Sequence, residues 1–173
     1  MHFVCTYNEV RDLIGNLERF WVSNCGCRES AGKCNQSRMD VCIGFFPDAT
    51  SGGSEHREIT REELEAIISE ARDNFLVPRP YRDKAGETVE GICLCCSCCC
   101  HYFVNHDSDC EKGEMIEETD FETCTHCSNC IDICAFGARV IENGELVVKR
   151  ELCYGCGVCV DVCPQESITM IGR

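Results

Sequence analysis

Residues 124–134 read CTHCSNCIDIC, and residues 153–164 read CYGCGVCVDVCP. Both stretches have the cysteine spacing C-x2-C-x2-C-x3-C, so this part of the chain is an internal repeat. Three cysteines at x2 intervals wrap a loop around one iron–sulfur cubane, and the fourth supplies the last ligand of the neighbouring cluster. We therefore expect two 4Fe–4S clusters with crossed ligation. The first set comprises Cys124, Cys127, Cys130 and Cys163, and the second comprises Cys153, Cys156, Cys159 and Cys134.

Zinc is the alternative to iron and sulfide at this repeat. Four-cysteine zinc sites use two C-x2-C pairs separated by a longer insert, and all four thiolates bind one metal. Two runs of four cysteines fit that pattern poorly, so the spacing favours iron–sulfur clusters. His126 lies inside the first run, but a complete cysteine set needs no histidine, and we expect this residue at the surface.

The segment between the two runs, residues 139–148, reads RVIENGELVV. Asn143-Gly144 is the preferred pair for a type I′ turn and has β-branched residues nearby, so the segment predicts a hairpin. A small unit of short strands and cysteine loops buries little apolar surface, and it normally needs metal to fold.

In these motifs, residues 113–173 resemble the bacterial-type two-cluster ferredoxins. The resemblance implies a pseudo-twofold ferredoxin fold, with a last strand after Cys163, and one-electron transfer at low potential. Ala135 replaces the proline that usually follows the first run, which implies a changed cluster environment with ligation retained. Gly155 and Gly157 would allow backbone N–H groups to approach cluster sulfurs and adjust the potential.

Ten further cysteines form two groups in the first part of the chain. Neighbouring cysteines point in different directions, so the six of the second group cannot all bind one metal or one cubane. We expect two centres shared between the groups, because unpaired thiols packed this densely would oxidise readily. Soft thiolates favour one or two further iron–sulfur clusters, with a structural zinc as the alternative. The candidate ligands are Cys25, Cys27, Cys34 and Cys42, then Cys93, Cys95, Cys96, Cys98, Cys99 and Cys100.

Two patterns in these groups resemble known modules. The C-x-C-R run at residues 25–28 and the CC-x-CCC run at residues 95–100 are similar to an N-terminal module of multi-cluster ferredoxin-like proteins of anaerobes. Adjacent cysteines also occur in heterodisulfide reductases, in which a non-cubane cluster reduces disulfides. The chain departs from that family, with Cys-Cys-Ser at residues 95–97 and C-x-C where the family has Cys-Cys-Gly and a final C-x2-C. Disulfide reduction is kept as an alternative function. Arg28 either hydrogen-bonds a cluster sulfide or forms a surface ion pair.

Ordinary folding signals lie between the two N-terminal groups. Thr60 and Glu63 form a capping box, and apolar residues at helical spacing follow it, so we expect a helix. Pro78 and Pro80 are expected to end that helix. A second helix is expected over residues 8–20.

Four other residues and one turn need a separate interpretation. Residues 51–54, SGGS, indicate a turn. Cys5 and Cys110 lie apart from both groups, and we do not expect them to be ligands. His101, His106 and Cys110 are spaced as half a zinc site, although exposed loop histidines are more common.

The chain carries a formal net charge of −14, from 30 acidic and 16 basic side chains. This charge argues against a nucleic-acid partner and suits a redox partner with a basic docking face.

Residues 1–21 have no unbroken apolar core, and nowhere do eighteen apolar residues run together, so we expect neither a signal peptide nor membrane insertion. In the cytoplasm thiols stay reduced, and clustered cysteines there usually hold metal.

These observations predict an α+β protein with a cysteine-rich, partly helical domain over residues 1–112 and a two-cluster ferredoxin domain over residues 113–173. The expected function is transfer of single electrons at low potential to or from an oxidoreductase, as a free carrier or as a wiring subunit of a larger complex. A catalytic subunit that uses an unusual cluster at the N-terminal cysteines is one alternative. A structural subunit whose clusters serve only folding is the other.

Overall fold

The structure is a computed structural model that describes residues 1–49, 53–105 and 110–173. It mixes helices and strands, as predicted, while part of the predicted turn at residues 51–54 and His106 lie outside the described residues. The strands are β1 (His2–Phe3), β2 (Phe20–Asn24), β3 (Asp40–Gly44), β4 (Arg57–Ile59), β5 (Val77–Arg82), β6 (Val89–Cys95), β7 (Cys110–Glu111), β8 (Met115–Thr119), β9 (Arg139–Glu142), β10 (Glu145–Val148) and β11 (Ile168–Gly172). The helices are α1 (Tyr7–Ile14), α2 (Gly26–Ala31), α3 (Arg61–Asp73), α4 (His101–Asn105), α5 (Asn129–Asp132) and α6 (Val158–Val162).

The first part of the chain forms a seven-stranded sheet in the order β4-β2-β3-β6-β5-β1-β7. Neighbouring strands are antiparallel except for β1 and β7, which run parallel. Sequence reasoning predicted helices here and missed the sheet. The available signal was the enrichment of aromatic and β-branched residues in runs such as FWV at residues 20–22.

Helices α1 and α3 share one apolar core with this sheet. Each begins with a capping box, in which the N-cap threonine and a glutamate three residues later exchange hydrogen bonds with each other's backbone N–H groups. Thr6 pairs with Glu9 and Thr60 pairs with Glu63, so the box predicted at Thr60 is confirmed. The buried residues are Tyr7, Val10 and Ile14 in α1 and Leu64, Ile67, Ile68 and Ala71 in α3.

Two predicted helix ends are wrong. Helix α1 ends before Gly15, a poor helix former, and Phe20 already belongs to β2. Helix α3 ends at Asp73, while Pro78 and Pro80 lie within β5. Strand β5 pairs with β6 along its length but meets β1 at a single residue pair. The prolines fit because their missing N–H groups fall on that sparsely paired side.

The second part of the chain pairs β8 with β11 and β9 with β10, both antiparallel. Asn143 and Gly144 have positive φ angles of 53° and 87°, as a type I′ turn requires, so the predicted hairpin is confirmed. Each cysteine run contains one short helix, α5 or α6, and is followed by a strand. A side chain at Gly155 would overlap the carbonyl oxygen of Met115, so this glycine allows the second run to pack against β8.

The predicted boundary between residues 112 and 113 falls between β7 and β8. The two parts are in direct contact across it. Lys112 Nζ donates to the Glu151 carbonyl oxygen, and Arg72 Nε lies 2.9 Å from Asp161 Oδ2. The longest helix of the described part, α3, has 13 residues, and none there has the length and apolar character to cross a membrane.

An aromatic cluster fills the space between the two parts. Tyr102 and Phe103 follow Cys100 on the N-terminal side, Phe136 follows the first C-terminal cysteine run, and Tyr154 lies in the second. The rings of Phe136 and Tyr154 stack with centroids 4.3 Å apart, and Phe103 meets Phe136 edge-on at 5.2 Å. Stacked and edge-on contacts of this kind hold rings rigidly, so the two parts are packed together at this point.

Candidate metal centres

The cysteines of the first C-terminal set line one cavity. Three of them lie on helix α5 and the loop before it, and the fourth caps α6 in the other half of the repeat. Leu146 and Ile168 contribute apolar walls. The cavity thus brings together Cys124, Cys127, Cys130 and Cys163, the four thiols that the repeat assigns to one cluster.

The loop that carries this set is anchored at both ends. At its start, the Asp120 carbonyl oxygen accepts the N–H of Cys124 at 3.1 Å, and the Asp120 side chain accepts the N–H of Glu122 at 2.9 Å. Further along, His126 Nδ1 accepts the N–H of Leu146 at 2.9 Å, which ties the loop to β10. His126 is therefore half-buried and structural rather than a free surface residue, a role that the sequence did not indicate.

The second C-terminal set surrounds the loop before α6, and three of its cysteines are buried. Burial raises the pKa of Cys159 to about 12; Cys134 and Cys153 add to the rise and Arg139 opposes it. Burial also raises the pKa of Cys156, and the nearby Cys134 and Cys153 raise it further. Cys134 therefore lies among the thiols of the other run. The set is Cys153, Cys156, Cys159 and Cys134.

The spacing of these thiols fits a centre larger than one metal ion. Thiolates about 2.3 Å from a single tetrahedral metal lie about 3.8 Å from one another. All eight C-terminal cysteines are among the described residues, and no three of their Sγ atoms lie within 4.8 Å of one another. A cubane takes each thiolate on a different iron atom, so it needs the wider separation. The donor set and its spacing fit iron–sulfur clusters.

Arg139, at the start of β9, is buried close to both C-terminal sets. Its Nη1 lies 3.5 Å from Cys130 Sγ, and its Nη2 donates to Glu117 Oε2 at 2.6 Å and to Thr119 Oγ1 at 3.1 Å. Burial lowers the pKa of Arg139, but Cys159 and Glu117 outweigh burial and hold the pKa above its ordinary value. A permanent positive charge therefore lies beside both sets.

Four N-terminal cysteines, the four-thiol group, converge on one point. Cys34 comes from the loop after α2, and the other three come from the turn after β6. The Sγ atom of Cys34 lies 3.7 Å from that of Cys96 and 3.8 Å from that of Cys98. The Sγ atoms of Cys98 and Cys99 are 3.4 Å apart. In the described part of the chain this is the single group of at least three potential metal ligands whose atoms all lie within 4.8 Å of one another.

Arg28 lies beside the four-thiol group and is completely buried, with 0 % of its surface exposed. Its Nη1 donates to the Arg38 carbonyl oxygen at 2.5 Å, and its Nη2 donates to the Leu94 carbonyl oxygen at 3.1 Å. The guanidinium also contacts the Cys96 thiol, while no described residue forms a hydrogen bond with Nε. The predicted alternative of a surface ion pair is therefore wrong, because the partners of this cation are carbonyl and thiol groups.

The other six N-terminal cysteines, the six-thiol group, form a closed ring of contacts. The register of the sheet explains part of it, since Cys42, Cys93 and Arg79 are cross-strand neighbours on β3, β6 and β5. Because side chains alternate along a strand, Cys95 points to the same face as Cys93. In order around the ring, the thiols are Cys25, Cys42, Cys93, Cys95, Cys100 and Cys27.

The six-thiol group lines a partly open cavity of about 460 Å³. Arg79 lies in its wall, stacked over the ring of Tyr102 at 4.1 Å, with Nη1 3.4 Å from Cys100 Sγ. Its Nη2 atom is buried and has no hydrogen-bond partner among the residues that the structure describes. His2 Nε2 lies 3.6 Å from Cys93 Sγ, and burial, helped by Arg79, lowers the pKa of His2 to about 4. His2 is therefore neutral at pH 7, and nothing in the sequence pointed to it.

The remaining cysteines and histidines lie beside these groups. Arg79 Nε lies 3.3 Å from Cys110 Sγ, and Cys5 is buried in the core. The backbone N–H of His101 donates to Cys27 Sγ at 3.5 Å, while its side chain is exposed. The zinc half-site that would need His106 falls partly outside the described residues and is still only a prediction.

Comparison with known proteins agrees with the C-terminal part. Residues 123–168 match a family model described as a 4Fe–4S dicluster domain. The matched segment contains all eight cysteines of the repeat, and both N-terminal thiol groups lie outside it. No curated protein matches the chain. The match and the convergent cysteines support a ferredoxin-like iron–sulfur protein.

Proposed function

We propose that this protein is an electron carrier that binds two 4Fe–4S clusters in residues 113–173 and passes single electrons at low potential to or from an oxidoreductase partner. The observation that carries the proposal is the cavity that Cys163 shares with Cys124, Cys127 and Cys130. Cys134 makes the reciprocal approach to the second run. Crossed ligation would then join the halves β8-α5-β9 and β10-α6-β11 into the pseudo-twofold ferredoxin fold.

The surrounding residues would adjust the clusters electrostatically. When bound, each cluster accepts and releases one electron. Arg139 places a buried positive charge beside Cys130 and close to Cys159, which favours the more negative, reduced state. The N–H of Val158 donates to the Cys156 sulfur and acts in the same direction.

We extend the proposal to a third iron–sulfur cluster at the six-thiol group. Six soft thiolates around one cavity suit iron and sulfide. Arg79, whose Nη2 atom has no hydrogen-bond partner in the described part of the chain, provides a cation for an anionic centre. The aromatic cluster next to Cys100 and Cys153 lies between this cavity and the second C-terminal set, which gives the cluster a short connection to the ferredoxin part.

The partner we propose is a redox protein with a basic docking face. The net charge of −14 would steer such a partner and would repel nucleic acid. The protein would act in the cytoplasm, as a free carrier or as a wiring subunit of a larger oxidoreductase complex.

The cavity of the six-thiol group favours a second candidate function, disulfide reduction. It is about 460 Å³ and partly open, and six thiols are more than the four that one cubane requires. A centre there could leave room for a disulfide substrate. Single-turnover assays with chemically reduced protein would test this function, because oxidation of the protein coupled to the appearance of thiol would support it. Inertness toward a panel of disulfides would exclude it.

The main experiment is anaerobic purification followed by counts of iron and acid-labile sulfide per chain. About eight irons are expected from two cubanes and about twelve if the six-thiol group holds a third. A redox titration by electron paramagnetic resonance then separates transport from structure. Clusters that cannot be reduced and reoxidised reversibly would contradict electron transfer and favour a purely structural role.

Two cysteine variants test the crossed ligation. Cys163→Ser and Cys134→Ser should each perturb the signal of a different cluster and leave the other intact. Cys5→Ala removes a buried thiol outside both sets and should leave both signals unchanged, which makes it the control. The ligand assignment is wrong if Cys163→Ser disturbs the same cluster as Cys159→Ser.

A further inference from the structure

The four-thiol group has the dimensions of a site for one metal ion. Its Sγ separations of 3.7, 3.8 and 3.4 Å lie at or slightly below the value of about 3.8 Å expected for thiolates around one tetrahedral zinc. The eight C-terminal thiols, spaced more widely, provide an internal comparison within the same chain. A cubane would force the four N-terminal sulfurs apart, because each must bind a different iron.

We infer that Cys34, Cys96, Cys98 and Cys99 form a mononuclear tetrathiolate site for a divalent metal, zinc by its ligand set, separate from every iron–sulfur centre of the protein. Four thiolates in tetrahedral array are the ligand set of structural zinc. The site lies beside the six-thiol group but shares no ligand with it.

The loop around Cys34 resembles a preformed ligand loop. The N–H of Gln36 donates to Cys34 Sγ at 3.4 Å, and the N–H of Ser37 also hydrogen-bonds that sulfur. Backbone N–H groups aimed at a sulfur stabilise the thiolate form and orient the ligand.

Arg28 supplies the charge argument. A completely buried guanidinium is costly unless an anion faces it, and its hydrogen-bond partners here are carbonyl oxygens and the Cys96 thiol. Four thiolates on one divalent ion carry a net charge of about −2. The tetrathiolate site would therefore be the anion that Arg28 needs, whereas four neutral thiols or two disulfides would leave the cation uncompensated.

The site borders the six-thiol group in sequence, because Cys96 directly follows Cys95 and Cys99 directly precedes Cys100. The metal would fix the turn at residues 96–99 without taking a ligand from that group. The exposed side chain of Cys98 leaves a route for the ion to enter.

The test uses the full-length protein, purified without oxygen and analysed for zinc, iron and sulfide. We expect about one zinc per chain, with X-ray absorption at the zinc edge showing four sulfurs at about 2.3 Å. Cys34→Ser and Cys98→Ser should reduce zinc to near zero and leave iron and sulfide unchanged. Cys42→Ser, in the six-thiol group, should leave zinc in place, and Cys110→Ser serves as the control for loss of one thiol. One iron without sulfide, bleached on reduction, would support the same site filled by iron.

Three results would overturn the inference. The first is wild-type protein with neither zinc nor a single sulfide-free iron. The second is loss of about four irons with their sulfide in Cys34→Ser, which would make Cys34 a cubane ligand. The third is a pair of disulfides among the four cysteines in protein kept reduced. If Cys34→Ser does not fold, Cys98→His decides, because it retains a zinc ligand at an exposed position and should keep the metal. Zinc and sulfide are measured separately, so this site and the proposed electron carrier can fail independently.

Discussion

Three buried arginines lie beside thiols, and they differ in the groups that balance their charge. Arg139 has the carboxylate of Glu117, at 2.6 Å. Arg28 and Arg79 instead have carbonyl oxygens, thiols or the ring of Tyr102. Since a buried and unpaired cation costs several kcal/mol, the thiols beside Arg28 and Arg79 are best balanced as metal-bound thiolates.

Replacing Arg139 with glutamine should change both stability and potential. Glu117 would be left as a buried, unpaired carboxylate, which costs about 3–5 kcal/mol. Removal of the positive charge should also lower the reduction potential of the adjacent clusters. Denaturant unfolding and a redox titration of the anaerobic protein measure the two effects.

The double variant R139Q/E117Q is the matched control for this prediction. Two neutral amides of similar shape can hydrogen-bond each other, so most of the stability should return. The potential should also rise part of the way back toward that of the wild type, because the negative charge of Glu117 is removed as well. A potential in R139Q equal to that of the wild type would show that Arg139 serves packing alone.

The charge of Arg28 is expected to slow the release of zinc from the four-thiol group. Arg28→Met removes the buried cation and its bonds to Arg38 and Leu94, and it should release zinc to a chelator about 10- to 100-fold faster. Arg28→Lys keeps a positive charge, so its rate of zinc release should lie between those of the wild type and Arg28→Met. Chelator-dependent release, followed with a zinc dye, is the measurement, and equal rates in all three proteins would contradict a role for the charge.

Sequence reasoning at the residue scale identified candidate ligands but not the residues around them. The spacing of Cys124 to Cys163 is a local pattern that carries its own chemistry. Arg28, Arg79 and His2 carry no such pattern, since nothing in a sequence shows that one particular arginine or histidine becomes buried against thiols.

At the scale of elements, signals confined to a few neighbouring residues were reliable. The capping box at Thr60 and the Asn143-Gly144 turn depend on hydrogen bonds and dihedral angles within four residues. The seven-stranded sheet depends on pairings such as Cys42 with Cys93, which are distant in sequence. Such pairings have no local signature, and the prolines of β5 further concealed a strand.

The turn of the β9–β10 hairpin depends on the positive φ angle of Gly144. Gly144 has φ of +87° and open space around its Cα, so Gly144→Ala suffers backbone strain without a clash, at a cost of about 1 kcal/mol. Cluster loss in guanidinium should become up to about five-fold faster, as the cluster absorbance would show. Gly172→Ala, also in open space but without positive φ, should behave as wild type. Equal rates for both variants would mean that the hairpin is still closed when the clusters leave.

Over the whole molecule, acidity dominates the long-range field. With a net charge of −14, reduced protein should pass electrons faster to a cationic acceptor than to an anionic one of similar potential. Added salt should slow the first reaction and speed the second, because screening weakens both attraction and repulsion. Stopped-flow rates at several ionic strengths test this, and a salt-independent ratio would exclude electrostatic steering.

The division of the N-terminal cysteines into two groups is also a property of the whole molecule. The expectation of two centres followed from the crowding of cysteines in residues 93–100 alone. Which thiol joins which group depends on the alternation along β6 and on the turn that follows it. The turn places the adjacent residues Cys95 and Cys96 in different thiol groups, but it places the adjacent residues Cys98 and Cys99 in the same group. The spacing of the cysteines in the sequence does not show this difference.

The aromatic cluster of Tyr102, Phe103, Phe136 and Tyr154 has a consequence for the timing of any charge movement between the two parts. Phe103 and Phe136 meet across this junction with ring centroids 5.2 Å apart, so the two parts are joined there by packed aromatic side chains. The rate of electron tunnelling falls steeply with the distance between donor and acceptor. Here packed side chains, and no mobile domain, set that distance. The rate of electron transfer between the N-terminal and C-terminal centres would therefore be the same in dilute buffer, in viscous medium and in a crowded assembly.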